Sequence, residues 1–203
     1  MIVGITGSIG AGKSTLARML VDRGADLVDA DRIGHEVIEM PPVKEELIGH
    51  FGSSIEGPDG SLDRRELGRL AFASTAGRHS LNQIVHPSLT RKLWSSVDSL
   101  AERPGRVVVV DAALLFEWGE LERFDLVVVV RASKAVSMAR VARRTGLGEA
   151  EVAQRMAHQM PLEEKVRRGD VIVDNDRTRE ELARQADELW QRIGRQKAVG
   201  ETG

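Results

Sequence analysis

Five short runs constrain this chain more than anything else in it: IVGIT at Ile2 to Thr6, ADLVD at Ala25 to Asp29, RVVVVD at Arg106 to Asp111, DLVVVV at Asp125 to Val130 and DVIVD at Asp170 to Asp174. They are β-branched and apolar without polar alternation. A strand with one wet face alternates, whereas a strand covered on both faces does not, so these runs require a parallel sheet between helical layers. Helical patterns separate them, and the chain reads as βαβ units around a central sheet. The spacing is uneven: about 75 residues lie between the second and third runs, against roughly 30 for a whole plain crossover unit. Something is inserted there.

The insertion, from about residue 34 to 103, looks mainly helical, with turn signals at Met40-Pro41-Pro42 and Gly57-Pro58-Asp59-Gly60. A second helical stretch, Ala135 to Arg168, is rich in arginine and separates the last two strands. The final helix carries a capping box, Thr178 with Glu181, and an apolar stripe at Leu182, Ala186, Leu189 and Ile193. Lys197 to Gly203 reads as a frayed tail.

Composition narrows the classes. A chain of 203 residues suits one α/β domain with insertions, or two small ones. Without cysteine it has no disulfide scaffold, which fits a reducing compartment. It has no signal-peptide pattern and no apolar run near the roughly 20 residues of a membrane span. The expectation is a soluble, cytoplasmic protein with no membrane association. Lys and Arg number 29 against 31 Asp and Glu, and aromatics are 3% with no tyrosine. Neither a basic field nor a base-stacking platform is present, so nucleic acid is not an expected partner.

The first run leads into Gly7-Ser8-Ile9-Gly10-Ala11-Gly12-Lys13-Ser14, which fits G-x-x-x-x-G-K-[ST], and an amphipathic segment with Leu16, Met19 and Leu20 follows. Glycines let the backbone N–H groups turn inward, and the helix N-terminus adds partial positive charge. Polyphosphate is the natural guest. Lys13 then reaches the β- and γ-phosphates and the Ser14 hydroxyl ligates Mg²⁺.

Carboxylates come next. Val28-Asp29-Ala30-Asp31 ends the second run at the sheet edge where α/β ligands bind. Asp31 is the candidate base for an acceptor hydroxyl, or else the N-cap of a helix from Arg32 to Glu39. Asp111 ends RVVVVD where a Walker-B-type carboxylate holds Mg²⁺, or else it starts a turn. Arg140, Arg143, Arg144 and Arg155 sit where nucleotide kinases carry a lid, although most surface arginines are only solvated. His86, before Pro87, has no metal or triad partner spaced near it and reads more readily as a structural hydrogen-bonder than as a catalyst.

Taken together, the motifs resemble one family, dephospho-CoA kinase. The resemblance rests on ITGSIGAGKST at 5–15, VDADRIGHEV at 28–37, HFG at 50–52, DGSLDRREL at 59–67 and LNQIVHP at 81–87. It continues through DAALLFE at 111–117, RVARR at 140–144, RMAHQMPLEEK at 155–165 and VIVDN at 171–175. It implies a P-loop NTPase fold, three αβα layers around a five-stranded parallel sheet. The nucleotide-binding core would be 1–33 and 104–203, with a helical lid at about 135–168 and a helical CoA-side insertion at 34–103. The implied activity is ATP-dependent phosphorylation of the ribose 3′-hydroxyl of dephospho-CoA, the last step of coenzyme A synthesis, with Mg²⁺ as cofactor. ATP and dephospho-CoA are the implied partners, and a monomer or small homo-oligomer the implied assembly.

Carried over position by position, the resemblance implies that Gly10, Ala11, Gly12, Lys13, Ser14 and Thr15 hold ATP. Arg144 and Asn175 join them, Asn175 in the segment expected near adenine. Asp31, Lys13 and Arg140 would be catalytic, Ser14 and Asp111 would hold the metal, and Arg64, His86, Leu115 and Glu117 fall in acceptor-side motifs. The chain departs from the family pattern at Ala113, usually proline, at Ser137, usually glutamine, and at Gly169, usually alanine.

Three other kinds of protein share the P-loop. A kinase for another small molecule differs only in acceptor preference. A regulatory GTPase would carry Asn-Lys-x-Asp, but Asp174-Asn175-Asp176-Arg177 lacks the lysine. A nucleotide-sensing module without catalysis would tolerate loss of Asp31.

Overall fold

The computed structural model describes residues 1–146, 148, 152–153, 156–157 and 159–200. They form two compact units, one from Met1–Asp29 with Ser99–Gly203, the other Ala30–Asp98. These bounds differ by a few residues from 34 and 103. The second unit starts as soon as the strand before it ends, and a long helix carries the chain back across the other boundary.

The first unit holds five strands, β1 (Ile2–Gly7), β2 (Asp26–Asp29), β3 (Val108–Asp111), β4 (Leu126–Arg131) and β5 (Val171–Asp174). They form one sheet in the order β2-β3-β1-β4-β5, and every pair is parallel. Helix α1 (Lys13–Val21) follows β1. Val3 and Ile5 of β1, with Val128 and Val130 of β4, share a buried cluster with Leu16 and Leu20 of α1 and with Leu182, Ala186, Leu189 and Ile193 of the last helix. The alternate residues Val127 and Val129 are also buried. Burial of both faces is why the strand sequences do not alternate. It removes each valine from water at a gain of about 1.5–3 kcal/mol per side chain.

That last helix spans Arg179–Gly200. Its start is capped as expected, the Glu181 N–H donating to Thr178 Oγ1 at 3.2 Å. Its end is not frayed where the sequence suggested: the helix runs through Lys197 to Gly200, and Lys197 Nζ donates to the Gly105 carbonyl at 2.6 Å. A tertiary hydrogen bond outweighs the weak local propensity there. Arg23 binds the same helix to α1, through Asp187 at 2.7 Å and the Ala183 carbonyl at 3.3 Å.

The second unit is helical, with α2 (Ala30–Ile38), α3 (Pro41–Phe51), α4 (Arg64–Ala71) and α5 (Thr75–Ala101), the last continuing into the first unit. Pairs four residues apart are buried in each of the first three: Ile33 and Val37, Val43 and Leu47, Leu67 and Ala71. Pro41 and Pro42 open α3, where a missing N–H costs nothing. Asp63 caps α4, accepting from the N–H groups of Arg65 and Glu66. Between α3 and α4, Lys44 donates to the Gly60 carbonyl, and Glu39 accepts from the Leu62 N–H at 3.2 Å.

Between β4 and β5 the chain forms α6 (Lys134–Thr145) and α7 (Leu162–Arg168). The final helix, Arg179–Gly200, is then α8. Among the described residues no helix is long and apolar enough to cross a membrane.

Candidate active site

The site in the first unit lies at the carboxyl edge of the sheet. Between β1 and α1 the chain turns with positive φ at Gly10 (80°) and Gly12 (99°), conformations that glycine adopts without steric cost. Gly12 is the N-cap of α1, its carbonyl accepting from the Thr15 and Leu16 N–H groups, so the helix N-terminus, with its partial positive charge, opens at the loop where an anion is favoured. Lys13 Nζ lies 3.3 Å from the Ser8 carbonyl, folded over its own loop.

Ser14, one residue into α1, donates its hydroxyl to Asp111 Oδ2 at 2.6 Å. Asp111 ends β3, pairs in register with Ile5 of β1 and Asp29 of β2, and is only 7% exposed. A hydroxyl and a carboxylate side by side are hard oxygen donors of the kind Mg²⁺ takes while keeping waters and phosphate oxygens as its other ligands. Among the described residues no group of three or more His, Cys, Asp or Glu could hold a metal unaided. The donor set fits an ion carried in with a nucleotide.

Asn175 follows β5 and is 6% exposed. Its Nδ2 donates to the Ala11 carbonyl at 2.7 Å, and its own carbonyl accepts from Arg140 Nη1 at 2.8 Å. The Asn175 side chain, assigned above to ATP, is therefore committed to the backbone of the phosphate loop. Arg140, on α6, is tied to the same residue. Arg144 is exposed one turn further along α6. Arg155 lies outside the described residues.

On the stretch after β3, Leu115, expected among the acceptor-side residues, is placed in the core. Its side chain is 1% exposed, packed so closely on Gly4 of β1 that a Cβ there would meet Leu115 Cδ1 at 2.5 Å. It is a core residue, because the short helical turn Leu115–Glu117 points it into the sheet. Leu114 beside it is exposed. Glu117 Oε1 accepts from the Met160 N–H at 2.9 Å and stands 3.6 Å from Lys165 Nζ.

Lys165, on α7, has a fully buried side chain whose ammonium donates to the Ala113 carbonyl at 2.7 Å. Burial pushes it below the ordinary lysine range; Glu117 opposes the fall and Lys13 adds to it. Gln159, just ahead of α7, accepts from the Ile9 N–H of the phosphate loop at 2.9 Å. Sequence reasoning missed both residues, although RMAHQMPLEEK holds them: a lysine between acidic and basic neighbours reads as solvated surface. The departures are placed too. Ala113 contributes its carbonyl, an atom proline would also supply. The buried Ser137 hydroxyl has no partner among the described residues. A Cβ at Gly169 would meet Val129 Cγ2 at 2.5 Å.

In the second unit, Asp31 lies in the first turn of α2, exposed, two residues beyond the end of β2. Because α2 already begins at Ala30, Asp31 is not the helix cap. Arg64 is the first residue of α4 and is exposed. His86 is half-buried on α5, with Nδ1 3.5 Å from Thr90 Oγ1.

A phosphate loop whose serine meets a strand-ending carboxylate, on a five-stranded parallel sheet, defines a P-loop nucleotide-binding protein. Comparison with known proteins goes further. The family model for dephospho-CoA kinase matches residues 1–181. A curated dephospho-CoA kinase of Geobacter sulfurreducens is 40% identical over 191 residues, 93% of this chain and 96% of the relative. A Thermus thermophilus protein of known structure superimposes with a TM-score of 0.80 at 34% identity, covering 95% of this chain and 97% of that one. The dephospho-CoA kinase of Campylobacter jejuni shares the fold, with a TM-score of 0.71 at 24% identity over 95% and 96% of the two chains. The chain belongs to the dephospho-CoA kinase family.

Proposed function

We propose that this protein transfers the γ-phosphoryl group of ATP to the ribose 3′-hydroxyl of dephospho-CoA, giving CoA and ADP, the closing step of coenzyme A synthesis. The observation that carries the phosphotransfer half is the Ser14–Asp111 contact beside the phosphate loop. The acceptor half rests on family membership.

The loop amides and Lys13 bind and orient the polyphosphate, charge against charge, where the first turn of α1 concentrates positive potential. Ser14 and Asp111 are the proposed Mg²⁺ ligands; the ion, when bound, neutralises charge on the phosphate oxygens. Asp31 is the proposed base. A carboxylate there would take the proton of the 3′-hydroxyl as that oxygen attacks, and transfer to an alcohol rather than water requires such a positioned acceptor. Arg140 is proposed to close on the transferring group, with Arg144 beside it on α6. Arg64, His86 and Glu117 remain the proposed acceptor-side groups. Cytoplasmic placement belongs to the same proposal.

An acceptor panel tests this reading: Mg·ATP with dephospho-CoA, adenosine, AMP, cytidylate or no acceptor, the products identified by mass. One phosphoryl group added to dephospho-CoA alone supports it. Preferential phosphorylation of a nucleoside or nucleotide would reassign the acceptor.

A further inference from the structure

Lys165 is the one fully buried lysine or arginine side chain among the described residues. Taking an ammonium out of water is costly, and the site would accept an apolar side chain of similar length without that cost. What the charge holds is specific. Its hydrogen bond to the Ala113 carbonyl, at 2.7 Å, is joined by a weaker one from Thr6 Oγ1, at 3.4 Å. Thr6, the second-last residue of β1, precedes the first glycine of the phosphate loop, and Ala113 follows the metal-side carboxylate Asp111 by two residues. The same ammonium faces Glu117 at 3.6 Å, and Glu117 accepts from Met160 N–H. Lys165 thus joins the entry to the phosphate loop, the Asp111–Glu117 stretch and the return segment ahead of α7. It does so within the field of Lys13, which disfavours its charge. A second cation held against that repulsion adds positive potential where phosphates bind.

We propose that Lys165 is a positioning residue for phosphoryl transfer: its buried ammonium fixes the Asp111–Glu117 stretch against β1, and Glu117 acts as its counter-charge. This rests on the phosphotransferase reading above. Misplacing a metal-side carboxylate by a fraction of its proper geometry lowers turnover more than it lowers substrate binding.

The test compares wild type with Lys165→Met, Lys165→Arg, Glu117→Gln and the double variant. It measures kcat and KM for dephospho-CoA per folded molecule, together with the Kd for Mg·ADP by calorimetry and the melting temperature. Lys165→Met is expected to lower kcat by about 30- to 100-fold and weaken Mg·ADP by about tenfold, in the range of lost supporting contacts around metal sites. Lys165→Arg is expected to recover most of both. Glu117→Gln is expected to lower kcat by about fivefold or more, and the double variant to be no worse than Lys165→Met, since the two act through one contact. A folded Lys165→Met with kcat and Mg·ADP affinity within twofold of wild type overturns the proposal. Should Lys165→Met not fold, Glu117→Gln with unchanged kcat overturns it instead. If wild type binds Mg·ADP but does not phosphorylate dephospho-CoA, the acceptor reading fails, and the Mg·ADP affinities of the variants still decide the role of Lys165.

Discussion

The Ser14 hydroxyl donates to Asp111 Oδ2 across 2.6 Å, joining the first turn of α1 to the end of β3. If that pair holds the nucleotide's metal, Asp111→Asn should cut turnover by about 100-fold or more. The Mg²⁺ concentration for half-maximal activity should rise, while ATP binding measured in chelator stays within twofold. Turnover and Mg²⁺ titrations of the two proteins check this.

Asp31→Asn separates a kinase from a nucleotide-binding module. The variant should keep wild-type ATP affinity and lose about 10²- to 10⁴-fold in turnover, the range ascribed to a positioned proton acceptor. Unchanged turnover removes Asp31 from the reaction.

Asn175 is bound to the Ala11 carbonyl, and the consequence is measurable. Asn175→Ala leaves that carbonyl without its donor and opens space under the loop, a loss of about 1–3 kcal/mol. Affinities for ATP, GTP and inorganic tripolyphosphate should all fall together by about tenfold or more. A loss confined to ATP would identify Asn175 as a reader of the adenine base.

Gly12 admits no side chain. Its φ of 99° is left-handed, and a Cβ would run into Asn175 Nδ2. Gly12→Ala carries about 1–3 kcal/mol of backbone strain besides that clash. ATP affinity should drop at least tenfold while the far-UV circular dichroism spectrum is kept. Calorimetry of a folded variant decides it.

A pH effect follows from Asp26 and Arg106, which join β2 to the segment before β3 through two hydrogen bonds of 2.6 and 2.7 Å. The Arg106 guanidinium beside Asp26 holds its carboxyl below the usual range. A carboxyl lowered in the folded state binds fewer protons there than in the unfolded chain. Its contribution is therefore present in full above about pH 4 and is lost as pH falls through the lowered folded value. The stability difference between wild type and Asp26→Asn, from denaturant titrations, should be constant from pH 5 to 7 and shrink below pH 4.

The sheet was readable in advance because its signal is local. Runs such as VVVV mark strands covered on both faces wherever they fall, and each of the five appears within two residues of its expected bounds. The phosphate loop was readable for the same reason, eight consecutive residues running from the end of a strand into a helix. What stayed hidden depends on pairings between distant residues. Nothing beside Lys165 in the chain announces that its ammonium meets a carbonyl 52 positions away. Nothing near Asn175 reveals a bond to Ala11, 164 positions distant. Leu115 and Leu114 are the same residue type, and only the helical turn decides which one enters the core. The tail is helical from Lys197 to Gly200, where Lys197 is held by a partner in another segment, and residues 201–203 lie outside the described residues.

The central claim is transfer to one particular hydroxyl. The most direct measurement gives the protein Mg·ATP with dephospho-CoA or with its 3′-deoxy analogue and weighs the products. The account predicts one added phosphoryl group on dephospho-CoA, with stoichiometric ADP, and none on the analogue. Phosphorylation of the analogue, or ATP consumption that ignores the acceptor, would contradict it.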